Sequence, residues 1–510
     1  MVLSYLTVPE LCELQLVCRG WDECLFQFFV DRHVRRGQLD LQTTAMSDQS
    51  RERDDGGRLA RTVKATRVAS VTMAADTAVA AYRVLLGQQT DSGGGGSGLT
   101  TELDGLRRLR AGSTFGLVLD DWKRFGVTST IVPNQLTAVE LPLVLIQQFY
   151  EFVGSATSPS KVVFASLDRL AFTTTATATA AAAAEDDKRW ADFSPDCFKR
   201  KFVVLPAVRH LAIVNRRRDS SSSSSSSSSA RAAVNHRALD FVPMWMPQTE
   251  TVTCGGLELY CRRSDDATRD AAYRADFSSL GRLRAVRIVD CQLWLAPRLP
   301  STCACLCLDG TAVRIAVRGR PRLNESYDAF EYNEPGATAA ARFDRAEWPA
   351  HNTVDEYAGL GVLSVCSNPW LGRFQLWFVT GQCGPALRRL DLYGTPLTFL
   401  GPPQAQDGPE FDLLRNLIVR CPSLEYLGLG RQPTVKARHA YDLVRLRHLA
   451  EVCLVRTAVA YRDMVGVLDA LAAAGRELRV LYYDAMTADQ HAHMQARFAA
   501  VDIRREFTYL

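Results

Sequence analysis

Lysine is almost missing from this chain. Of its 60 cationic residues only Lys64, Lys123, Lys161, Lys188, Lys199, Lys201 and Lys436 are lysine, and the others are arginine. With the alanine-rich stretches, that bias reads as the codon usage of a GC-rich genome and not as a binding surface. Net charge is scarce too, at +4 over 510 residues. That leaves no global electrostatic case for a nucleic-acid or polyanion binder. No apolar run reaches the roughly 18 residues a membrane helix needs. The N-terminal stretch carries Glu10 and Glu13 and no basic leader, so it does not read as a secretory signal. The 14 cysteines are scattered without a short disulfide framework. A reducing compartment, cytoplasmic or nuclear, is therefore expected.

Catalytic signatures are missing as well. The run Gly93 to Gly98 lacks the lysine and flanking strand of a phosphate-binding loop and reads as a linker. Neither H-E-x-x-H nor G-x-S-x-G occurs. Cys303, Cys305 and Cys307 invite a metal reading, but no C-x-x-C pair lies near them, so they read as structural thiols. His491 and His493 read as a solvated pair, and Arg216-Arg217-Arg218 as a solvated loop. The expectation is a non-enzyme with no catalytic residue, no metal and no cofactor.

What the chain does have is apolar content, 47% of residues. That is enough to bury cores in two to four domains or in one extended repeat array. Composition divides it. Residues 1–45 are dense in Leu, Cys, Phe and Trp and read as a small helical domain. Residues 46–98 read as a flexible linker, with an Ala/Val-rich piece near 66–87 that suggests a helix. From 99 to 510 apolar blocks alternate with low-complexity insertions near 173–190, 216–232 and 318–350. Ser220 to Ser229 is an unbroken serine run, read as a codon-repeat expansion, with phosphorylation as the alternative. Such tracts cost little inside surface loops, because closure entropy grows only logarithmically with length.

The apolar blocks repeat a spacing. Leu387, Leu390, Leu392 and Leu397 sit at offsets 0, 3, 5 and 10, with Thr395 at offset 8. Leu360, Leu363, Val365 and Trp370 follow the same pattern around Asn368. So do Leu283, Val286, Ile288 and Leu293 around Cys291, and Cys303, Leu306, Leu308 and Val313 around Thr311. Leu449, Val452, Leu454 and Val459 repeat it around Thr457. Shorter matches are Leu424/Leu427/Leu429 and Leu478/Leu481/Tyr483, and weaker ones begin near Leu136, Leu167, Val208 and Thr249. This resembles the leucine-rich repeat. Offsets 3 and 5 put two apolar side chains on the inner face of a short strand. A polar residue at offset 8 can bond backbone groups of neighbouring turns. One unit buries little, so units must stack. Phe411 to Val419 and Tyr461 to Ala474 read as connecting helices. The expected fold is an α/β leucine-rich-repeat solenoid, a curved parallel sheet with outer helices, after a small all-α patch. An ordinary α/β sheet with leucine-rich strands is the alternative.

In residues 1–29, Thr7 and Glu10 fit a capping box with Pro9 in the first turn. Leu11, Leu14 and Cys18 form one stripe, and Cys18, Trp21, Leu25 and Phe28 a second. So many large apolar groups exceed what about 40 residues can bury alone. The Leu-Ser-Tyr-Leu segment, Pro9-Glu10-Leu11, Leu14 and the close Leu16-Val17-Cys18-Arg19-Gly20-Trp21 resemble the F-box. That resemblance implies binding to a Skp-type adaptor, and through it to a cullin and a RING protein. Carried over, Leu3, Leu6, Pro9, Leu11, Leu14, Val17 and Trp21 would form the adaptor interface or the core behind it. Family members usually carry a Leu-Pro and one more helical turn ahead of the position of Val2; either the start lies upstream of Met1 or the box is degenerate, which bears on adaptor affinity.

F-box and leucine-rich repeats together imply the substrate-recognition subunit of an SCF-type ubiquitin ligase. The alternative is a ligase-independent interaction scaffold whose N-terminal helices cap the repeats. Substrate contacts are expected at exposed strand positions alternating with the buried leucines: Arg287, Arg389, Asp391, Tyr393, Tyr426, Glu451, Tyr482 and Asp484. Their mixed signs suggest a protein ligand and not a phosphate-rich one.

Overall fold

A computed structural model describes residues 38–41, 70–73, 106–125, 134–156, 163–173, 204–215, 232–235, 237–260, 275–293, 297–313, 357–368, 383–395, 413–476 and 478–506. The chain divides into two compact units, Met1–Val252 with Tyr260–Thr268, and Thr253–Leu259 with Arg269–Leu510.

In the N-terminal unit the strands are β1 (Gln38–Leu41), β2 (Ser70–Met73), β3 (Arg108–Arg110), β4 (Ala138–Pro142), β5 (Arg169–Thr173), β6 (His210–Val214) and the short β7 (Ala232–Asn235). β1 to β6 pair in sequence order, each parallel to the next: Leu39↔Val71, Val71↔Leu109, Leu109↔Val139, Val139↔Leu170 and Leu170↔Leu211. The division between units falls inside β8 (Thr251–Gly255).

The C-terminal unit continues with β9 (Leu257–Tyr260), β10 (Ala285–Val289), β11 (Gln292–Leu293), β12 (Cys305–Cys307), β13 (Ala312–Val313), β14 (Val362–Ser364), β15 (Arg389–Asp391), β16 (Tyr426–Gly428), β17 (Glu451–Cys453), β18 (Val480–Tyr482) and β19 (Asp502–Arg504). The main ladder is again parallel. It brings Val286, Leu306, Leu363, Leu390, Leu427, Val452, Leu481 and Ile503 into one row. A second small ladder pairs β9, β11 and β13 just beyond the main strands.

The rows follow from the repeat spacing. At every strong, short and weak repeat, the residues at offsets 0, 3 and 5 are buried, none more than 7% exposed. Burying a leucine in this way contributes about 1.5–3 kcal/mol, and only the neighbouring coils can cover it. Besides β1 and β2, two further strands of the ladder escape the sequence reading. One is Leu106/Leu109/Ala111 on β3, and the other is Val501/Ile503 on β19. β12 pairs directly with β14, so the long gap between Cys303 and Leu360 holds an insertion and no further strand of this ladder.

Three polar residues at offset 8, Asn368, Thr311 and Thr395, act as expected, whereas Thr457 Oγ1 donates to Leu454 O (2.8 Å) and Cys291 Sγ to Val289 O (3.3 Å) within their own coils. Asn368 Nδ2 donates to the carbonyls of Leu308 (2.9 Å) and Thr311 (2.7 Å) in the preceding coil. Gln432, which lies outside the Asn/Cys/Thr pattern, does the same for Leu392 (2.8 Å) and Thr395. Thr311 Oγ1 donates to Ile288 O (2.7 Å), and Thr395 Oγ1 to Val365 O. Just before each ladder residue the backbone is left-handed: Asp290, Gly310, Ser367, Gly394, Arg431 and Arg456 have φ between 47° and 69°. This turn aims the next residue into the interior, and it releases an N–H that the next coil accepts, as in Ser367 N to Tyr393 O (2.7 Å). Glycine takes this conformation without strain at two of the six coils, and four carry a side chain there.

These features define both units as leucine-rich-repeat stacks. The connecting helices Leu413–Arg420 and Tyr461–Ala473 form where expected. Ala488–Arg497 is opened by a capping box between Thr487 and Gln490. Phe115–Phe125 and Ile146–Ala156 cover the N-terminal unit, with Trp122 and Phe152 rings 5.2 Å apart.

Two expectations are corrected. Residues 1–45 are not all helical, because Gln38–Leu41 is a strand, and its alternation of polar and apolar residues has the two-residue strand period. The stretch 46–98 is not only linker, and its suggested helix is a strand at Ser70–Met73, where Val and Thr favour the pleat. The remainder of the helical patch, most of the linker and most of the low-complexity insertions lie outside the described residues.

Candidate partner-binding face

Side chains between the buried rows point to the other side of the C-terminal sheet. Neighbouring strands bring them about 4.8 Å apart in columns. One column runs Cys305, Val362, Arg389, Tyr426, Glu451, Val480 and Asp502. The next runs Arg287, Cys307, Ser364, Asp391, Gly428, Cys453, Tyr482 and Arg504.

Arg287 is exposed, and Arg389, Glu451, Tyr482 and Asp484 are half-buried. Asp391 (6%), Tyr393 (6%) and Tyr426 (4%) are buried, against the expectation that they are exposed. The reason is glycine in the adjoining coil. A Cβ on Gly428 would lie 2.2 Å from Asp391 Oδ1, and one on Gly430 would lie 2.3 Å from the Tyr393 ring. The larger side chains lean into the room those glycines leave. Tyr393 also packs with Cys366, Cys453 and Val455, with Tyr482 against the cluster.

The buried polar groups here are partnered. Tyr426 OH donates to Asp391 Oδ2 (3.1 Å), and Tyr393 N to Asp391 Oδ1 (3.2 Å). Burial pushes the Asp391 carboxyl above its ordinary range, against the opposing pull of bonds from Cys366, Tyr393 and Tyr426 and of the Arg389 charge. Burial and the same carboxylate push the Tyr426 phenol up. Asp309 ties two coils together: it accepts from Ser364 Oγ (2.7 Å) and Cys366 N (2.7 Å) of the next coil and from Cys307 Sγ (3.1 Å) of its own.

The thiols are held protonated. Burial pushes Cys303 up to about 11 and Cys307 and Cys453 up to about 12. A thiol that keeps its proton at neutral pH is a poor nucleophile and metal ligand. Among the described residues no group of three or more His, Cys, Asp or Glu could hold a metal ion. No helix of the described residues is long and apolar enough to cross a membrane.

Arginine guanidinium groups ride on the rings. Arg389 lies 3.8 Å from the Tyr426 centroid, Arg431 5.6 Å from Tyr393, and Arg504 5.7 Å from Tyr482. What remains at the surface is the exposed Arg287, Arg431 and Arg504 with the half-buried Arg389 and Tyr482. That is recognition chemistry: charge, hydrogen bonds and flat apolar area.

No protein-family model matches the chain, and no curated protein matches it. Solved structures do. An internalin of Listeria monocytogenes is 8% identical over 88% of this chain and 89% of its own, with a TM-score of 0.34. A leucine-rich-repeat protein of Leptospira interrogans is 10% identical over 94% and 98%, with a TM-score of 0.34. The leucine-rich-repeat domain of APL1 is 10% identical over 74% and 82%, with a TM-score of 0.27. Superpositions this loose carry no argument. The architecture rests on the register, the buried rows and the ladder.

The expected adaptor residues Leu3, Leu6, Pro9, Leu11, Leu14, Val17 and Trp21 lie outside the described residues. Sequence reasoning missed Asp309, Cys366, Gly428 and Gly430. The spacing did contain a signal, since each falls at a known offset on the outward side of a strand or just after it.

Proposed function

We propose that this chain is a non-catalytic protein-binding scaffold that works as the substrate-recognition subunit of an SCF-type ubiquitin ligase. The strand face of the repeats would hold a protein substrate. The N-terminal motif would dock on a Skp-type adaptor, bringing cullin and RING protein within reach. The observation that carries the binding role is the row of eight parallel strands with side chains presented at fixed spacing. The ligase role rests on the F-box-like residues Pro9, Leu11, Leu14, Val17 and Trp21. Its contribution to rate is proximity, because tethering raises the local concentration of substrate near the conjugating enzyme. Cytosol or nucleus is the proposed location, where thiols such as Cys303 and Cys453 stay reduced.

One observation favours the second reading, a ligase-independent scaffold. β1 starts at Gln38, directly after the helical motif, and already belongs to a parallel ladder. A helical segment in that place would serve as a cap on the first coil. The test is co-purification of the full chain, wild type and Trp21→Ala, with the Skp-type adaptor. Capture by wild type alone, with the variant equally folded, supports the ligase. No capture by either chain, or a variant whose repeats unfold, supports the cap.

A further inference from the structure

The signs on the strand face of the C-terminal unit mix in sequence, but they mix less in what is left for a partner. Asp290, in the turn after β10, is exposed beside Arg287, and the other five carboxylates accept from within the chain. Asp309 takes Ser364, Cys366 and Cys307. Asp391 takes Tyr426 and Tyr393. Glu451 pairs with Arg479. Asp484 Oδ1 takes the Arg456 N–H (2.8 Å), and Asp502 Oδ2 takes Arg504 Nε (2.8 Å). The arginines are disposed otherwise. The half-buried Arg389 and the exposed Arg431 lie over tyrosine rings, with no carboxylate bonded to them among the described residues. Arg287 is exposed in the same position, one column over. A guanidinium held by its face over a ring is already ordered, so little freedom is lost when its edge meets a carboxylate.

We infer that this face selects an acidic segment of a partner protein, its carboxylates meeting Arg287, Arg389 and Arg431. This deepens the proposed substrate role and rests on it. The spacing suits a chain laid across the strands. Arg287 stands on β10 and Arg389 on β15, three strands apart through β12 and β14, which is about 14 Å.

The test uses the full chain and a display library of random peptides. The library is panned on wild type and then counter-selected on the triple variant Arg287→Gln, Arg389→Gln, Arg431→Gln, after its thermal unfolding has been shown to match wild type. The inference expects face-dependent peptides rich in Asp and Glu. It also expects a labelled poly-L-glutamate probe to lose about tenfold or more in affinity on the triple variant, the low end for exposed charge-assisted bonds. Added salt should weaken the wild-type complex. Face-dependent peptides without acidic bias would overturn the inference and leave the protein-binding role standing. A short oligo-thymidylate bound as well as poly-L-glutamate would also overturn it, marking a general polyanion surface. No face-dependent peptide of any kind would remove the protein-binding role itself.

Discussion

Asn368→Ala tests the ladder that joins the coils. Asn368 is 1% exposed, and its Nδ2 holds two carbonyls of the preceding coil, Leu308 O at 2.9 Å and Thr311 O at 2.7 Å. The two losses differ. Leu308 O keeps a second donor, Thr311 N at 3.1 Å, whereas Thr311 O has no other donor among the described backbone bonds. A buried acceptor left bare costs about 1–3 kcal/mol and a bond lost from a shared acceptor nearer 0.5–1.5. The substitution should therefore cost about 2–4 kcal/mol. Asn368→Asp should cost more than alanine, since it removes both donors and sets a carboxylate against two carbonyls. Gln432→Ala removes the same pair of bonds two coils further on and should cost about as much. A chain with two units need not unfold in one step. The assay is therefore amide hydrogen exchange, read peptide by peptide, beside urea unfolding. Amides of Thr311 and its neighbours should open about thirtyfold to several-hundredfold more often, while those of the N-terminal unit stay unchanged. If Asn368→Ala and Asn368→Asp both exchange and unfold within about 0.5 kcal/mol of wild type, the ladder does not hold the coils together and the reasoning fails.

Leu390→Asp buries a charge in a fully enclosed row between Leu363 and Leu427 and should disrupt the neighbouring coils; unchanged thermal unfolding and protease resistance would show the repeat frame to be wrong. Gly430→Ala must displace the Tyr393 ring and should cost about 1–3 kcal/mol, seen as a lower melting temperature with altered near-ultraviolet dichroism. Asp391 has a folded-state pKa above its unfolded one, so its ionisation opposes folding and that cost grows as pH rises through the window between them. Asp391→Asn should then gain stability relative to wild type at neutral pH, and the gain should fade on acidification; a gain that grows in acid refutes the raised pKa. Cys303, Cys307 and Cys453 should resist alkylation at neutral pH and react once the chain is unfolded in denaturant. Fast labelling of the native chain would contradict the burial of Cys303 and Cys453 and the raised pKa of the half-buried Cys307.

The repeat was legible because each coil must solve the same burial problem with few residues. Leu387, Leu390 and Leu392 state the strand and its inner face by spacing alone, and Thr395 states the turn inward. The weaker matches at Leu136, Leu167, Val208 and Thr249 were legible by the same rule. β1 and β2 were not. A strand of four residues with one alternation is too short a signal beside a helical motif or within an alanine-rich stretch, and only the neighbouring strand's register reveals it. Gln432 escaped because its role depends on reach, not on residue class: its longer side chain meets the same two carbonyl positions that Asn368 meets.

The face was legible only in part, and the reason is physical. Alternation says which side a residue points to, but its exposure depends on the size of residues a whole coil away. Asp391 and Tyr393 are outward by pattern and buried by fact, because glycine stands at Gly428 and Gly430 in the next coil. The same neighbour effect changes the charge a partner meets. In sequence, Arg389, Asp391, Glu451 and Asp484 read as a balanced mixture. In the fold the carboxylates turn to Tyr426, Tyr393, Arg479 and the Arg456 backbone, while the guanidinium groups stay at the surface over their rings. A face with near-equal numbers of each sign thus has most of its carboxylates answered from within the chain. The pairing between coils, and not the composition of any single coil, decides what this sheet can recognise.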